Sequence, residues 1–390
     1  MAYRKFSATR LFDGYTFREN TVLITDTSGK IIDLVSVQDA GEGIEYHEGI
    51  LTPGFINAHC HLELSHLKGV IPPHTGLIDF LCLVVTKRDF PREMIDRAIQ
   101  DAEEEMYKNG IVAVGDIGNT ADTASVKSRS KIRWQNFVEV LSMKDEKASQ
   151  EVSHYKEVCH QLNEALRRSE LPHRSVLVPH APYTISPKTF EMINDLTEGQ
   201  IISMHNQEHP AEDELYQSGG GDYLKLFKVF GMDTSPFPIT GKSSIRSVLP
   251  YFTKSQKIFL IHNTYMPEAD IMWANDYAIQ YGLSLVYCLC PSANLYIENR
   301  LPDVELFQQK NCHLVLGTDS YSSNWQLSIA SEIRLLSHEK NIPLASLLQM
   351  ATLNGARALN WESDLGSFEK GKKPGVVVLS NDLDSSARML

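Results

Sequence analysis

The sequence predicts an α/β protein, because eight short apolar runs alternate with longer segments of helical character. Strands that are apolar on both sides are typical of parallel sheets, whose two faces are covered by helices. Eight such strand–helix units over about 270 residues match a (β/α)₈ TIM barrel, which usually has roughly 250 residues. In chain order the runs are GFINAHCH, IVAVGDIGN, WQNFVEVLS, RSVLVPHAPYT, QIISMHNQE, KIFLIHNT, LSLVYCLCPS and HLVLGTDS.

The two ends of the chain predict a second, smaller β unit. Residues 1–50 alternate polar and apolar residues, and the SGK of NTVLITDTSGKIIDLVS indicates a hairpin turn. Near the other end, GSFEKGKKPGVVVL again predicts a turn followed by a strand. We therefore expect residues 1–50 and 363–390 to form a small β-sandwich domain beside a barrel that spans residues 51–362.

Composition and charge exclude several classes of partner. The chain has 390 residues, of which 42% are hydrophobic and 22% charged, and its net charge of -12 argues against binding nucleic acid or an anionic membrane surface. The sequence shows neither an apolar run of membrane-spanning length nor a signal-peptide pattern at its start. Its six cysteines lie in or beside apolar runs, which predicts free thiols in a reducing compartment. We expect a cytoplasmic protein that forms a homodimer and acts on a small molecule.

Polar side chains gather where the predicted strands end. Because active sites of such barrels lie at the carboxyl ends of the strands, these side chains are expected to converge at one mouth. They are His59 and His61 on the first run, His180 on the fourth, His205 and Glu208 on the fifth, His262 on the sixth and Asp319 on the eighth.

The HCH of the first run suggests a metal centre. Residues i and i+2 of a strand point to the same side, so His59 and His61 can face the barrel axis together. Alone this pattern is weak, but His205 and Asp319 end two further strands. Three imidazoles and a carboxylate suit Zn²⁺ or Fe²⁺, with one position left for water. The alternative is four buried polar groups that satisfy one another by hydrogen bonds.

Several of these segments together resemble the amidohydrolase superfamily: PGFINAHCH, HNQE, LIHNT and LGTDSYSSN occur here in the expected order. PHAPYTIS and ATLNGARALN are similar to segments of its deaminase and chlorohydrolase branch, which includes cytosine, guanine and adenosylhomocysteine deaminases and triazine hydrolases. HLELS and the SSN after GTDS look like aminodeoxyfutalosine deaminases. The resemblance covers essentially the whole chain.

This resemblance implies a metal held by His59, His61, His205 and Asp319. It also implies that Asp319 accepts a proton from the attacking water, that His262 either forms a hydrogen bond to that attacking group or touches the metal, and that Glu208 shuttles the proton. Members with two metals use a bridging lysine on the fourth strand, and SVLVPHAPYT offers none. We therefore expect one ion, zinc or alternatively iron.

The resemblance points to five residues on the substrate side. Glu63 and His66 follow the metal histidines into the first loop, His180 and Tyr183 end the fourth strand, and Asn324 follows Asp319. For each residue the alternative is a local hydrogen bond without a role in binding.

The expected activity is hydrolytic deamination of an amino-substituted heterocycle, such as a purine, pyrimidine or nucleoside. Metal binding lowers the pKa of water to about 7 and so provides the hydroxide that attacks the ring. The amine must be protonated before it leaves, which is the work of a positioned acid such as Glu208. The alternatives are a chlorohydrolase or cyclic-amide hydrolase on the same scaffold, or a non-catalytic scaffold protein.

The long segment from Gln217 to Thr240 is a candidate cover for the barrel mouth. It follows Glu208 closely and contains three consecutive glycines. Tyr223, Leu224 or Phe227 could offer apolar contact to a flat ring. The alternative is an insertion on the outer wall, remote from the mouth.

Overall fold

The computed structural model describes residues 3–390. Its strands are β1 (Tyr3–Phe12), β2 (Phe17–Arg18), β3 (Thr21–Asp26), β4 (Ile31–Ser36), β5 (Ile44–Pro53), β6 (Phe55–Cys60), β7 (Ile111–Gly118), β8 (Arg133–Val140), β9 (His173–Pro179), β10 (Ile201–Asn206), β11 (Lys257–His262), β12 (Ser284–Leu289), β13 (Leu314–Leu316), β14 (Val376–Leu379) and β15 (Ser386–Arg388).

The helices are α1 (Leu77–Lys87), α2 (Arg92–Lys108), α3 (Ala124–Lys127), α4 (Ala148–Leu166), α5 (Pro187–Leu196), α6 (Ala211–Ser218), α7 (Tyr223–Val229), α8 (Ser244–Val248), α9 (Glu268–Tyr281), α10 (Pro291–Glu298), α11 (Val304–Gln309), α12 (Ile329–Lys340), α13 (Leu344–Gln349) and α14 (Gly355–Ala358). A π-helical turn (Met350–Asn354) joins α13 to α14. Within residues 3–390, no helix is both long and apolar enough to cross a membrane.

Strands from both ends of the chain share one seven-stranded sheet. Its order is β15-β14-β5-β1-β3-β4, and β2 pairs with β1. The predicted SGK turn connects β3 and β4, which pair antiparallel. Toward the other end, β14 pairs antiparallel with β5, so that Val377 lies opposite Thr52. The sheet has its own apolar core, which contains Phe6, Leu11, Leu23, Ile31, Leu51, Phe368 and Val376.

The eight predicted barrel strands are confirmed as two parallel four-stranded sheets. β6 to β9 form one and β10 to β13 the other, each in chain order. Backbone hydrogen bonds join the sheets at both edges. The His205 amide donates to the His180 carbonyl (3.0 Å), and the Thr318 amide donates to the His59 carbonyl (3.0 Å). The carboxyl ends of the eight strands therefore lie on the same side of the molecule.

Helix signals in the sequence explain where the covering helices begin and end. The buried residues of α2, Ile99, Ala102 and Met106, recur every three or four positions and form its inner face. The hydroxyl of Ser186 caps α5 by accepting from the Thr189 amide. Helix α9 stops at Gly282, whose φ of 67° lies in the left-handed region where glycine carries no Cβ penalty.

A buried ion pair anchors the first loop of the parallel strands. Lys127 and Asp116 are each 2% exposed, and the Nζ–Oδ2 distance is 2.5 Å. Lys127 also donates to Asn136 Oδ1 (2.7 Å), and Asp116 Oδ1 accepts the Leu62 amide (2.8 Å). The pair thus connects α3, β7 and β8 to the segment that directly follows His61.

Replacing Lys127 by methionine is expected to lower the free energy of unfolding by about 3–5 kcal/mol, because Asp116 is then buried without a counter-charge. The matched control is Arg97→Met on α2. Arg97 pairs with Asp101 at 2.9 Å, with side-chain exposures of 74% and 55%. Loss of such an exposed pair costs about 0–1 kcal/mol. Urea unfolding measures both variants, and equal effects would contradict a special role for the buried pair.

Candidate metal centre and its cavity

Histidines from the ends of β6 and β10, which belong to different parallel sheets, converge with one carboxylate. The rings of His59 and His61 at the end of β6 are 4.9 Å apart, and the His205 ring at the end of β10 lies 5.1 Å from His59 and 5.4 Å from His61. Asp319 Oδ1 lies 3.4 Å from His59 Nε2 and 3.5 Å from His61 Nε2. One ligand atom from each of the three histidines falls within a common span of 4.8 Å.

The hydrogen bonds of this cluster leave several ring nitrogens free. Both nitrogens of His59 and Nδ1 of His61 are buried without a partner, although buried polar atoms normally have one. His205 Nδ1 lies 2.8 Å from the His180 carbonyl oxygen, which leaves its Nε2 for the cluster. Burial lowers the pKa of all three histidines and so favours the neutral ring, which is the form that binds metals. These residues fit a divalent cation such as zinc.

Asp319 is positioned by its backbone. Its φ of 56° lies in the left-handed region, and its amide donates to the His59 carbonyl (3.0 Å). Its Oδ2 accepts the Ser323 hydroxyl (2.5 Å), while Oδ1 faces the histidines. Strained backbone of this kind persists where the surrounding structure enforces it, often at functional sites.

His262 and Glu208 stand beside the cluster. The ring nitrogen His262 Nε2 lies 3.5 Å from Glu208 Oε1, and both side chains are almost fully buried. On its other side His262 Nδ1 lies 3.2 Å from Asn294 Nδ2, which also donates to Thr264. Burial, followed by the charge of Asp319, raises the pKa of Glu208 well above its usual range. Burial of this kind favours the protonated form of the carboxyl group, which is the form that can act as an acid.

A cavity of about 230 Å³ opens onto these residues. One wall is polar and includes Glu63, Arg88, Asn119, Glu139 and His180. The other is apolar and consists mainly of α1, α7 and Ile297. The cavity lining therefore suits a small molecule that has both polar groups and an apolar body.

Comparisons with known proteins agree with this geometry. Residues 50–388 match the amidohydrolase family. The chain belongs to that family. Among curated relatives, the aminodeoxyfutalosine deaminase of a Nitratiruptor species is 26% identical over 342 residues, which is 84% of this chain and 78% of the relative.

Two solved structures share the fold of this amidohydrolase. The aminofutalosine deaminase of Helicobacter pylori in complex with methylthio-coformycin has a TM-score of 0.77 and 20% identity, and the alignment covers 99% of this chain and 97% of that one. An adenosine deaminase from Xanthomonas campestris with bound zinc has a TM-score of 0.73 and 21% identity, with coverages of 97% and 84%.

The structure brings three of the five substrate-side candidates of this amidohydrolase to the cavity, namely Glu63, His180 and Tyr183. His66 points away, with its Nε2 3.1 Å from the Arg88 carbonyl and its ring against Phe90. The Asn324 amide donates to the Thr318 carbonyl (2.7 Å) and to Glu332 (3.2 Å), and so fixes the loop behind Asp319. The observed contacts of His66 and Asn324 are thus local hydrogen bonds, as the alternative interpretation predicts.

Glu139 is a cavity residue that sequence reasoning missed. It lies near the end of β8, and its Oε2 is buried without a partner. Burial, followed by the charge of Glu63, raises the pKa of Glu139 to about 8. The only signal in the sequence was one acidic residue inside the apolar run WQNFVEVLS, near a predicted strand end.

Part of the predicted cover does reach the cavity, but through different side chains from those expected. Leu226 and Phe230 line it together with Glu208 and His262. Of the three residues named from the sequence, Tyr223 and Phe227 are fully buried behind this wall and Leu224 lies outside the lining. Tyr223 instead stacks on Tyr183, with ring centroids 4.3 Å apart. An ion pair between Lys225 and Asp79 connects α7 to α1.

Adding a methyl group at Gly317 is expected to disturb the cluster. A Cβ there would lie 2.7 Å from His59 Cβ and 2.9 Å from the backbone nitrogen of His59, so β13 and β6 must separate. We expect Gly317→Ala to lower the free energy of unfolding by about 1–3 kcal/mol, as overpacking does in well-packed interiors.

Gly220→Ala is the matched control, because its added methyl group meets only the Ser218 hydroxyl at 3.4 Å. Urea unfolding compares the two variants. If the Gly317→Ala protein were as stable as the Gly220→Ala protein, the close approach of Gly317 to His59 would not be required for stability.

Proposed function

We propose that this amidohydrolase is a metal-dependent deaminase, which replaces the amino group of a nucleoside-like heterocycle by oxygen and releases ammonia. The observation that carries the proposal is the buried Glu208, which lines the cavity beside the histidine–aspartate cluster and lies 3.5 Å from His262. The names of the similar proteins, deaminases of adenosine-type compounds, support the same substrate class.

The proposed metal is one divalent ion, zinc or alternatively iron, held by His59, His61, His205 and Asp319. A bound cation of this kind supplies chemistry by lowering the pKa of a water molecule to about 7. The free ring nitrogens of His59 and His61 support the assignment. A single ion is favoured because neither the fourth parallel strand, β9, nor the adjacent His180 offers a lysine as a bridge.

Each neighbouring side chain has a proposed role in moving protons. Asp319 accepts a proton from the attacking water through Oδ1, while Ser323 holds Oδ2 in place. The ring of His262 orients that water by a hydrogen bond. Glu208 delivers its proton to a ring nitrogen, regains one from the proton that Asp319 has taken from the water, and donates that second proton to the departing amine, because an unprotonated amide ion is a very poor leaving group.

The cavity wall supports a flat ring as substrate. Glu63, His180 and Tyr183 are proposed to bind its polar edge. Glu63 is held rigidly, since its Oε2 accepts the amides of Asn119 (3.1 Å) and Thr120 (3.1 Å). Leu226 and Phe230 cover the apolar side and exclude water, which strengthens the electrostatic interactions inside the cavity.

We also propose that the eight parallel strands close into a barrel, comprising residues 51–362, and that residues 1–50 and 363–390 form a small β-sandwich domain. The hydrogen bonds that join the two parallel sheets at both edges support the barrel. The shared terminal sheet and its separate apolar core support the small domain.

The purified protein is expected to contain one zinc or iron ion per chain by elemental analysis. His59→Ala and Asp319→Ala should each lose most of it, because each removes a proposed ligand. His160→Ala is the control, since that histidine lies on α4 with a side chain that is 67% exposed. Two ions per chain, or full occupancy in the Asp319→Ala protein, would contradict the assignment.

Glu208→Gln is expected to keep the ion and to lower kcat by at least about 10²-fold, the low end for a positioned acid. The substitution removes the proton and preserves the shape of the side chain. Ammonia release from adenosine and related compounds measures the effect, with Glu191→Gln on the exposed face of α5 as the control. Near-normal turnover of the metal-loaded variant would show that the leaving group needs no proton, as with chloride.

A further inference from the structure

One fully buried carboxyl group has no part in the proposed proton transfers. Glu332, in the first turn of α12, is 0% exposed and lies outside the cavity lining. Its Oε2 accepts the Ser292 amide (2.8 Å), and its Oε1 accepts the side-chain amide of Asn324 (3.2 Å). Both donors are neutral groups that offer no counter-charge, and burial raises the pKa of Glu332 to about 7. Groups with strongly shifted pKa values cluster at functional sites.

The Oε1 contact leads to Asp319. Asn324 Nδ2, which donates to Glu332, also donates to the Thr318 carbonyl (2.7 Å). That carbonyl belongs to the peptide unit whose N–H is the Asp319 amide, and this amide donates to the His59 carbonyl (3.0 Å). The peptide unit is thus held at both its oxygen and its nitrogen, which restrains Asp319 at its left-handed φ of 56°. Without Glu332, Asn324 loses the contact that steadies its amide against this carbonyl.

The Oε2 contact leads to His262. Ser292 is the second residue of α10, and its N–H is one of those at a helix start that have no partner within the helix. A carboxylate at this position also interacts favourably with the helix dipole. Asn294 lies in the same turn, and its Nδ2 lies 3.2 Å from His262 Nδ1 and donates to the Thr264 hydroxyl (2.7 Å). The start of α10, which Glu332 anchors, therefore supports the His262 ring.

We propose that Glu332 is a positioning residue, which sets Asp319 and His262 relative to each other by joining the loop after β13 to the start of α10. The inference rests on the proposed function, in which Asp319 takes a proton from the attacking water and His262 orients that water. A carboxylate suits this task because both of its oxygens are acceptors, and each of the two segments presents a donor. A glutamine of the same shape offers only one oxygen.

Glu332→Gln is expected to break the Asn324 contact and to keep the other. The Ser292 amide lies at the shorter distance and takes the remaining oxygen, so the new NH₂ group faces Asn324. Asn324 cannot rotate to accept from it, because its own oxygen would then face the Thr318 carbonyl. Groups that hold a metal-binding carboxylate are typically worth about 10–100-fold in metal affinity or activity.

The test measures zinc affinity by competition with a chelator, and kcat and KM for ammonia release from adenosine by the zinc-saturated full chain. All assays are run about one pH unit above the pKa of Glu332, so that the carboxylate form predominates. For Glu332→Gln we expect zinc affinity and kcat each to fall by about tenfold or more, while KM stays within about twofold, because Glu332 does not line the cavity.

A double variant tests the route through Asn324. In an Asn324→Ala background, Glu332→Gln should lower kcat by less than about twofold, because its connection to Asp319 is already lost. A residue that served only the stability of the fold would not show this dependence.

Asp13→Asn is the matched control. Asp13 is 4% exposed in the turn between β1 and β2, and its Oδ1 accepts the amides of Tyr15 and Thr16 (2.8 Å each). The variant thus alters a buried carboxylate that accepts backbone amides in the seven-stranded sheet. It should lower the midpoint of urea unfolding and leave zinc affinity and kcat unchanged.

Zinc affinity of the Glu332→Gln protein within about twofold of the wild type would overturn the inference, as would an equal loss of zinc affinity in the Asp13→Asn protein. Effects of Glu332→Gln and Asn324→Ala that multiply fully would also overturn it, because Glu332 would then act by another route. If the wild-type protein binds zinc but releases no ammonia, only the deaminase function fails. The zinc competition then still decides the role of Glu332.

Discussion

The site depends on the hydrogen bonds by which the segment after β13 attaches to β6. The amides of Thr318 and Asp319 both donate to the carbonyl of His59. Only a glycine at position 317 permits this approach, because any Cβ would collide with His59. The same contact that joins the first parallel strand to the last therefore sets Asp319 Oδ1 within 3.5 Å of two histidine rings. The fold and the site therefore depend on the same backbone contact with His59.

Desolvation gives the converged groups their chemistry. Burial disfavours the charged form of every group, so it lowers the pKa of His59 and His262 and raises that of Glu208. The neutral form of the rings and the protonated form of the carboxyl group are thus favoured by one physical cause acting on two kinds of group. Functional sites often show such opposed shifts side by side. Here they occur at the carboxyl ends of parallel strands, where barrel proteins place their reactive residues.

Site residues whose positions follow from strand periodicity could be predicted from the sequence. Residues whose positions depend on tertiary packing were missed. His59, His61 and Asp319 were found because they end apolar runs, and parallel strands bring such ends together. The positions of residues in the connecting segments cannot be derived from such a pattern. Leu226 reaches the cavity because α7 packs on α1, a contact between segments that are far apart in the chain, as in the Lys225–Asp79 pair with its separation of 146 positions. Glu139 lacked a motif, and only the structure shows that its Oε2 has no partner.

The pairing of β5 with β14 has a consequence for how the chain folds during synthesis. β5 leads through Gly54 alone into β6, which carries His59. Its antiparallel neighbour β14 comes from residues 376–379, so this edge of β5 stays unpaired until all eight parallel strands have been synthesised. An open edge strand is prone to pairing with other chains. During this interval β6 lies next to the unpaired edge of β5. Binding by a chaperone during the same interval would keep that edge from pairing with other chains.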